Sequence, residues 1–135
     1  GTWSVLRHMY PLANIPVLQV SIDMRQPADY HMNIGQQLSK LRDKGVLILG
    51  SGNLVHNLRQ IRWEPDSKPF EWAVEFDEWI KNTTTAGKMR VPTLDHYLPL
   101  HYILGASDKK DQLKFEYEEM QNGSISMRSF SLGRV

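Results

Sequence analysis

The chain has 135 residues and a mass of 15.6 kDa, the size of one domain. Sixteen Lys and Arg against fifteen Asp and Glu leave a formal charge of +1, too weak a positive field for a protein held to nucleic acid by its phosphates. Cysteine is absent, which removes disulfides, thiolate zinc sites, iron–sulfur clusters and cysteine nucleophiles, and no apolar run approaches the roughly 18 residues of a membrane span.

With 41% hydrophobic and 23% charged residues the composition is that of a globular chain. The opening Gly1-Thr2-Trp3-Ser4-Val5 has neither the basic nor the apolar region of a signal peptide, so a cytoplasmic protein is expected. Pro16 to Asp23 reads as a strand, rich in β-branched residues and closed by a polar stop. Met32 to Lys44 reads as an amphipathic helix, with Ile34, Leu38 and Leu41 on one face and Gly45 as its C′ residue. Val46-Leu47-Ile48-Leu49 has the continuous apolar character of a strand covered on both faces. Strand, helix and strand in this order predict a right-handed parallel crossover.

Asn53 is a plausible N-cap for Leu54 to Leu58. Glu71 to Lys81 is a further helix: Trp72, Phe76, Trp79 and Ile80 form a core stripe opposite Glu71, Glu75 and Glu78. Thr93 caps a helix running through His96 to Leu104, ended by Gly105 and kinked at Pro99, which lacks a backbone donor. Leu113–Met120 and Ser124–Phe130 flank Gln121-Asn122-Gly123, a hairpin signal whose register the apolar alternation leaves open. The expected fold class is α/β, a central mixed sheet with parallel crossover units flanked by helices, plus a C-terminal β-hairpin.

Two segments can carry chemistry. Gly50-Ser51-Gly52-Asn53 follows a buried strand and opens a helix, where open α/β sheets place their ligands. His56 lies about one turn in and is a candidate acid/base or metal ligand; a tight turn with a histidine satisfied by a carbonyl is the plainer reading. No Gly-Lys-Ser/Thr ending follows, so this is not a phosphate loop. In Pro92 to Tyr102, His96 and His101 are five residues apart, about 140° around a helix, and cannot chelate one metal together. His96 is better placed for a pocket and His101 for packing, and either can be purely structural. His8 is expected in an element packed on the sheet, and His31 at the surface before the first helix. The tryptophan stripe reads as core.

Taken together, GTWSVLRHMYP (1–11), PVLQVSID (16–23), LRDKGVLILGSGNLVHNLR (41–59), WAVEFDEWI (72–80), PTLDHYLPLHYILGA (92–106) and SISMRSFSL (124–132) resemble the class III extradiol ring-cleaving dioxygenases of the LigB-like superfamily. The likeness is to their DOPA 4,5-dioxygenase-like branch. It implies an oxidoreductase that opens a catechol ring beside its two hydroxyls with dioxygen, at a mononuclear non-haem centre of Fe(II) or Zn(II). It assigns His56 to the family's acid/base histidine, alternatively a metal ligand. His96 takes a metal-ligand position and His101 a substrate-side one.

The family's first two ligand histidines stand in an N-terminal half, and neither His8 nor His31 occupies their motifs. A facial triad needs three protein ligands. The resemblance therefore implies that residues 1–135 form the C-terminal portion of a catalytic domain within a larger dioxygenase fold. The missing N-terminal half would come from the same or a companion chain. Expected partners are a catechol-type small molecule and dioxygen, with no nucleic acid and no membrane. A chain of this kind alone is expected to be inactive. The alternative is a non-catalytic binding or scaffold relative of the same fold.

Overall fold

The computed structural model describes residues 2–53, 58–64, 67–85 and 98–134. Helix α1 spans Thr2–Met9 and α2 spans Ala28–Arg42, starting four residues before the expected Met32. Asp29 in the first turn of α2 and Lys40 and Arg42 in the last oppose the helix dipole favourably at both ends. Gly45 ends it as expected: its φ is +77°, its N–H reaches Arg42 O at 3.0 Å, and the Val46 N–H reaches Leu41 O at 3.1 Å. Those are the two bonds of a Schellman cap, which only a left-handed residue closes without strain.

Helix α3 spans Glu71–Thr85, four residues beyond the expected end, because Thr83 and Thr85 return their hydroxyls to the carbonyls of Trp79 and Lys81. Its buried line is Ala73, Ile80 and Thr84, not the tryptophans. Trp72 and Trp79 sit half-exposed on the flanks, stacked on Phe70 and Phe76 at centroid distances of 6.0 and 5.7 Å. Helix α4 spans Leu98–Ala106 and includes Pro99. The expected portion at 93–97 lies outside the described residues.

The hairpin is present as two antiparallel pairs. β1 (Gln112–Tyr117) pairs β4 (Ser129–Gly133), and β2 (Met120–Gln121) pairs β3 (Ile125–Ser126). Asn122 and Gly123, at φ of 53° and 73°, make the turn that Asn-Gly predicts. The register shifts between Phe115 and Tyr117, opposite Phe130 and Ser129. Glu116 is thus an extra residue on β1, and one extra residue inverts the alternation beyond it. That bulge is why the apolar patterns of the two runs disagree.

The expected central sheet with parallel crossovers does not form among the described residues. Segments 16–22 and 46–49 belong to no strand, and the two sheets present are two-stranded and antiparallel. Parallel strands persist when paired in a sheet covered on both faces, and two alone hold too little hydrogen bonding and burial.

The core lies between the C-terminal elements. Ile80 and Leu100 are buried, with Phe76, Leu104 and Phe130 packed against them. α2 and α4 cross at two glycines. A Cβ on Gly35 would stand 2.3 Å from Tyr102 O, and one on Gly105 2.2 Å from Met32 O. Gly105 therefore does not end its helix; it lets α2 approach. Below the crossing, Arg42 grips Asp111 with bonds of 2.7 and 2.6 Å and donates to Ala106 O at 2.9 Å.

Candidate active site beside the Gly50–Asn53 turn

The 46–49 run empties into the Gly50–Asn53 stretch, whose first residue is pressed against α4. A Cβ on Gly50 would meet Ile103 Cγ1 at 2.8 Å and Pro99 O at 3.0 Å, so only glycine lets this backbone lie on the start of α4. Asn53 leads toward His56, and Pro99 follows His96 by three residues. The two segments singled out for chemistry thus meet at Gly50 and Pro99. His56 and His96 themselves lie outside the described residues. A cleft of about 1000 Å³ opens beside the contact, lined by Gly50, Asn53, Pro99, Ile103, Ser126 and Arg128.

Asn53, Ser126 and Arg128 on the cleft wall belong to a charge network reaching back to α3. Asn53 Nδ2 donates to Ser126 O at 3.5 Å, and Ser126 Oγ donates to Asp77 Oδ1 at 2.6 Å. Arg128, with a side chain only 3% exposed, lays Nε 3.1 Å from both Asp77 oxygens and Nη2 2.5 Å from Oδ2. It also pairs with Glu118 and Glu78, while Lys81 Nζ lies 2.7 Å from Glu118. Burial acts to lower the Arg128 pKa, but the Asp77 bond and the surrounding carboxylates leave it raised. Glu118 is lowered, chiefly by Lys81. A guanidinium so surrounded has no fork left for an anionic ligand. Its work is to tie α3 to the strand carrying Ser126, and through Ser126 to hold Asn53. Asp77 and Arg128 are 51 residues apart, and no local pattern connects them.

The other histidines fall differently from expectation. His8 is exposed on α1, which buries nothing. His31, expected at the surface, is 0% exposed: it lies within α2, its Nδ1 3.1 Å from the Tyr102 hydroxyl. The burial of Tyr102 itself raises its pKa, helped by Tyr30 and Asp23. His101 is 2% exposed within α4, where a packing residue is expected to be.

Among the described residues no group of three or more His, Asp or Glu is arranged to hold a metal ion. Nor is any helix among them long and apolar enough to cross a membrane. The resemblance offers the imidazoles of His56 and His96 as donors, and both lie outside the described residues. They suit iron or zinc chemically but fall one short of a three-ligand site.

Residues 1–115 match the family described as the catalytic LigB subunit of aromatic ring-opening dioxygenase, and the chain belongs to that family. It is similar to the 4,5-DOPA dioxygenase extradiol of Escherichia coli (strain K12), at 41% identity over 98% of this chain and 55% of the relative. The protein of the same name from Portulaca grandiflora is 32% identical over 100% of this chain and 55% of its own length. In structure the chain resembles an uncharacterized protein of Escherichia coli K12, with a TM-score of 0.88 and 39% identity over 98% of this chain and 62% of that one. The chain thus spans about half the length of the curated relatives it matches.

Proposed function

We propose that this chain is the C-terminal portion of a metal-dependent extradiol dioxygenase that opens the ring of a catechol such as DOPA with dioxygen. The observation that carries the reading is the meeting of Gly50 and Pro99 at the cleft, in a chain of the ring-opening dioxygenase family. His96 is assigned as one ligand of Fe(II) or Zn(II). His56 is the acid/base, or alternatively a further ligand. The remaining ligands come from the part of the family's polypeptide that this chain does not span.

When bound, the metal holds catechol and dioxygen together and stabilises developing negative charge. The chain's own residues do the rest. The His56 imidazole accepts a proton from a catechol hydroxyl and later returns it, as a general acid/base does. Gly50 lets the backbone lie on α4, and the exposed Gly52 admits the substrate close to the backbone. The Asp77–Arg128–Ser126 network holds Asn53, and with it the entry to the His56 segment. His101 would touch substrate only if the completed site opened the buried face of α4.

The test is DOPA turnover, followed by oxygen uptake and yellow product, with this chain alone and with the missing half supplied. The chain alone should be inactive and the pair active. In the pair, His96→Ala should lower bound metal, while His56→Ala should keep metal and lose about 10²–10⁴ in rate. Turnover by the chain alone defeats the reading that its missing ligands are essential. Partner binding with no turnover in any combination identifies a scaffold relative instead.

A further inference from the structure

The Asn122-Gly123 turn of the hairpin is gripped by the chain that follows the His56 segment. The Arg62 N–H donates to Asn122 O at 3.0 Å, and the Phe70 N–H donates to Gly123 O at 2.8 Å. The Asn122 side chain answers the first of these bonds, its Nδ2 donating to Arg62 O at 3.0 Å. Arg62 is fixed in its turn: its guanidinium lies over the Phe70 ring at 4.1 Å, and Nη1 donates to Lys68 O at 2.8 Å. A turn with positive φ at both central residues accepts Gly-Gly as well as Asn-Gly. What asparagine adds at position 122 is the amide that reaches Arg62.

The chain thus leaves this hairpin at Asn53, whose Nδ2 reaches Ser126 O, and rejoins it at Arg62 on Asn122, with His56 in between. The two ends are not equally held. The Asn53 bond, at 3.5 Å, stands at the long limit for N–H···O, whereas Arg62 and Asn122 exchange two bonds of 3.0 Å. Every donor and acceptor in both contacts belongs to this chain, so the clasp is complete within it. A general base must lie within hydrogen-bond reach of the proton it takes, and misplacement by about 1 Å costs up to about a hundredfold in rate. We propose that Asn122 is a positioning residue for His56, clasping at Arg62 the segment that carries the acid/base imidazole. The proposal rests on the reading of His56 as the acid/base, and it adds a residue that acts through the backbone of Arg62 rather than on the substrate.

The experiment uses the complete metal-loaded dioxygenase of which this chain is the proposed portion, and the variant Asn122→Gly. Glycine keeps the left-handed turn and the bond from the Arg62 N–H, and removes only the amide. Amide hydrogen exchange across 58–62 should quicken about fivefold, the worth of one such hydrogen bond, while exchange in α2 and α4 stays as it was. For DOPA, kcat should fall about three- to tenfold with KM held within about twofold. Asn122→Asp, which sets a carboxylate against Arg62 O, should do at least as much. The deciding measurement repeats Asn122→Gly in a His56→Ala background. A residue that acts only through His56 costs nothing further there, whereas a general structural loss costs the same factor in both backgrounds. Gln121→Ala, exposed one position away, should change neither exchange nor turnover. Unchanged exchange at 58–62, or an equal loss of kcat with and without His56, overturns the inference alone. His56→Ala at full rate defeats the proposed function, and this inference with it.

Discussion

Replacing Gly105 by Ala tests whether α2 and α4 owe their contact to the absence of two side chains. Alanine is the better helix former by about 1 kcal/mol, so on propensity alone the change stabilises. The structure opposes that gain. The new Cβ would lie 2.2 Å from Met32 O, 3.0 Å from Met32 C and 3.1 Å from Gln36 N, all of them backbone. Backbone cannot swing aside as a side chain tip can, so α4 must retreat by most of an ångström. A gap of that size forfeits about a quarter to a half of each dispersion contact across the crossing, where Tyr102 and His31 are buried. Overpacking of this kind costs about 1–3 kcal/mol, and the lost contacts add to it. The net expectation is about 2 kcal/mol of destabilisation, a fall in Tm of about 5–10 °C. Thermal melting followed by far-UV circular dichroism measures it, with Gly133→Ala as control because a Cβ there meets nothing within 4 Å. If Gly105→Ala melts at or above the parent temperature, the crossing is not limited by these glycines and the argument is wrong.

Three further outcomes follow from the ion pairs and the turn. Asp111, whose side chain is 1% exposed, has its pKa lowered by the Arg42 hydrogen bond. A depressed carboxylate contributes its stability above the ordinary value near 4 and loses it as pH falls through the lowered one. Asp111→Asn should therefore cost about 2 kcal/mol at neutral pH and flatten the acid limb of a urea-stability profile against pH; an unchanged limb would exclude this pair as its source. Arg128→Met leaves the Asp77 carboxylate without its guanidinium and should cost about 3 kcal/mol in urea unfolding, with Arg128→Lys between it and the parent; equal losses would mean that the fork geometry is unimportant. Gly123→Ala forces a side chain onto φ +73° and to 3.2 Å from Phe70, and should cost about 1–2 kcal/mol in the same assay, whereas no loss would contradict the left-handed turn.

Features carried by neighbours in sequence were legible in it. Ile34, Leu38 and Leu41 announce α2, Gly45 its cap, and Asn122-Gly123 the hairpin. Where a residue's surroundings lie far along the chain, the sequence was silent. His31 looked like a surface residue because Tyr102, its hydrogen-bond partner, stands 71 positions away. Arg128 looked like one more basic residue until α3 brought Asp77 to it. The 46–49 run shows the opposite failure: its composition announces a strand, yet pairing needs a second strand that no described residue supplies. At the site, the glycines and the histidine spacing single out two segments, and Gly50 does lie against Pro99 and Ile103 of α4. The clamp holding that turn, built from a serine, an aspartate and an arginine, leaves no periodic trace.

The crossing of α2 and α4 also has a consequence in time. During synthesis α2 emerges first, and the Tyr102 that His31 meets follows 71 residues later. At about 5–20 residues per second that is a wait of roughly 4–14 s. A helix of this length forms in microseconds or less, so α2 has ample time to form and unravel before its partner exists. Through that interval the glycine groove lies open, and the nascent chain presents its apolar runs to whatever is near the ribosome.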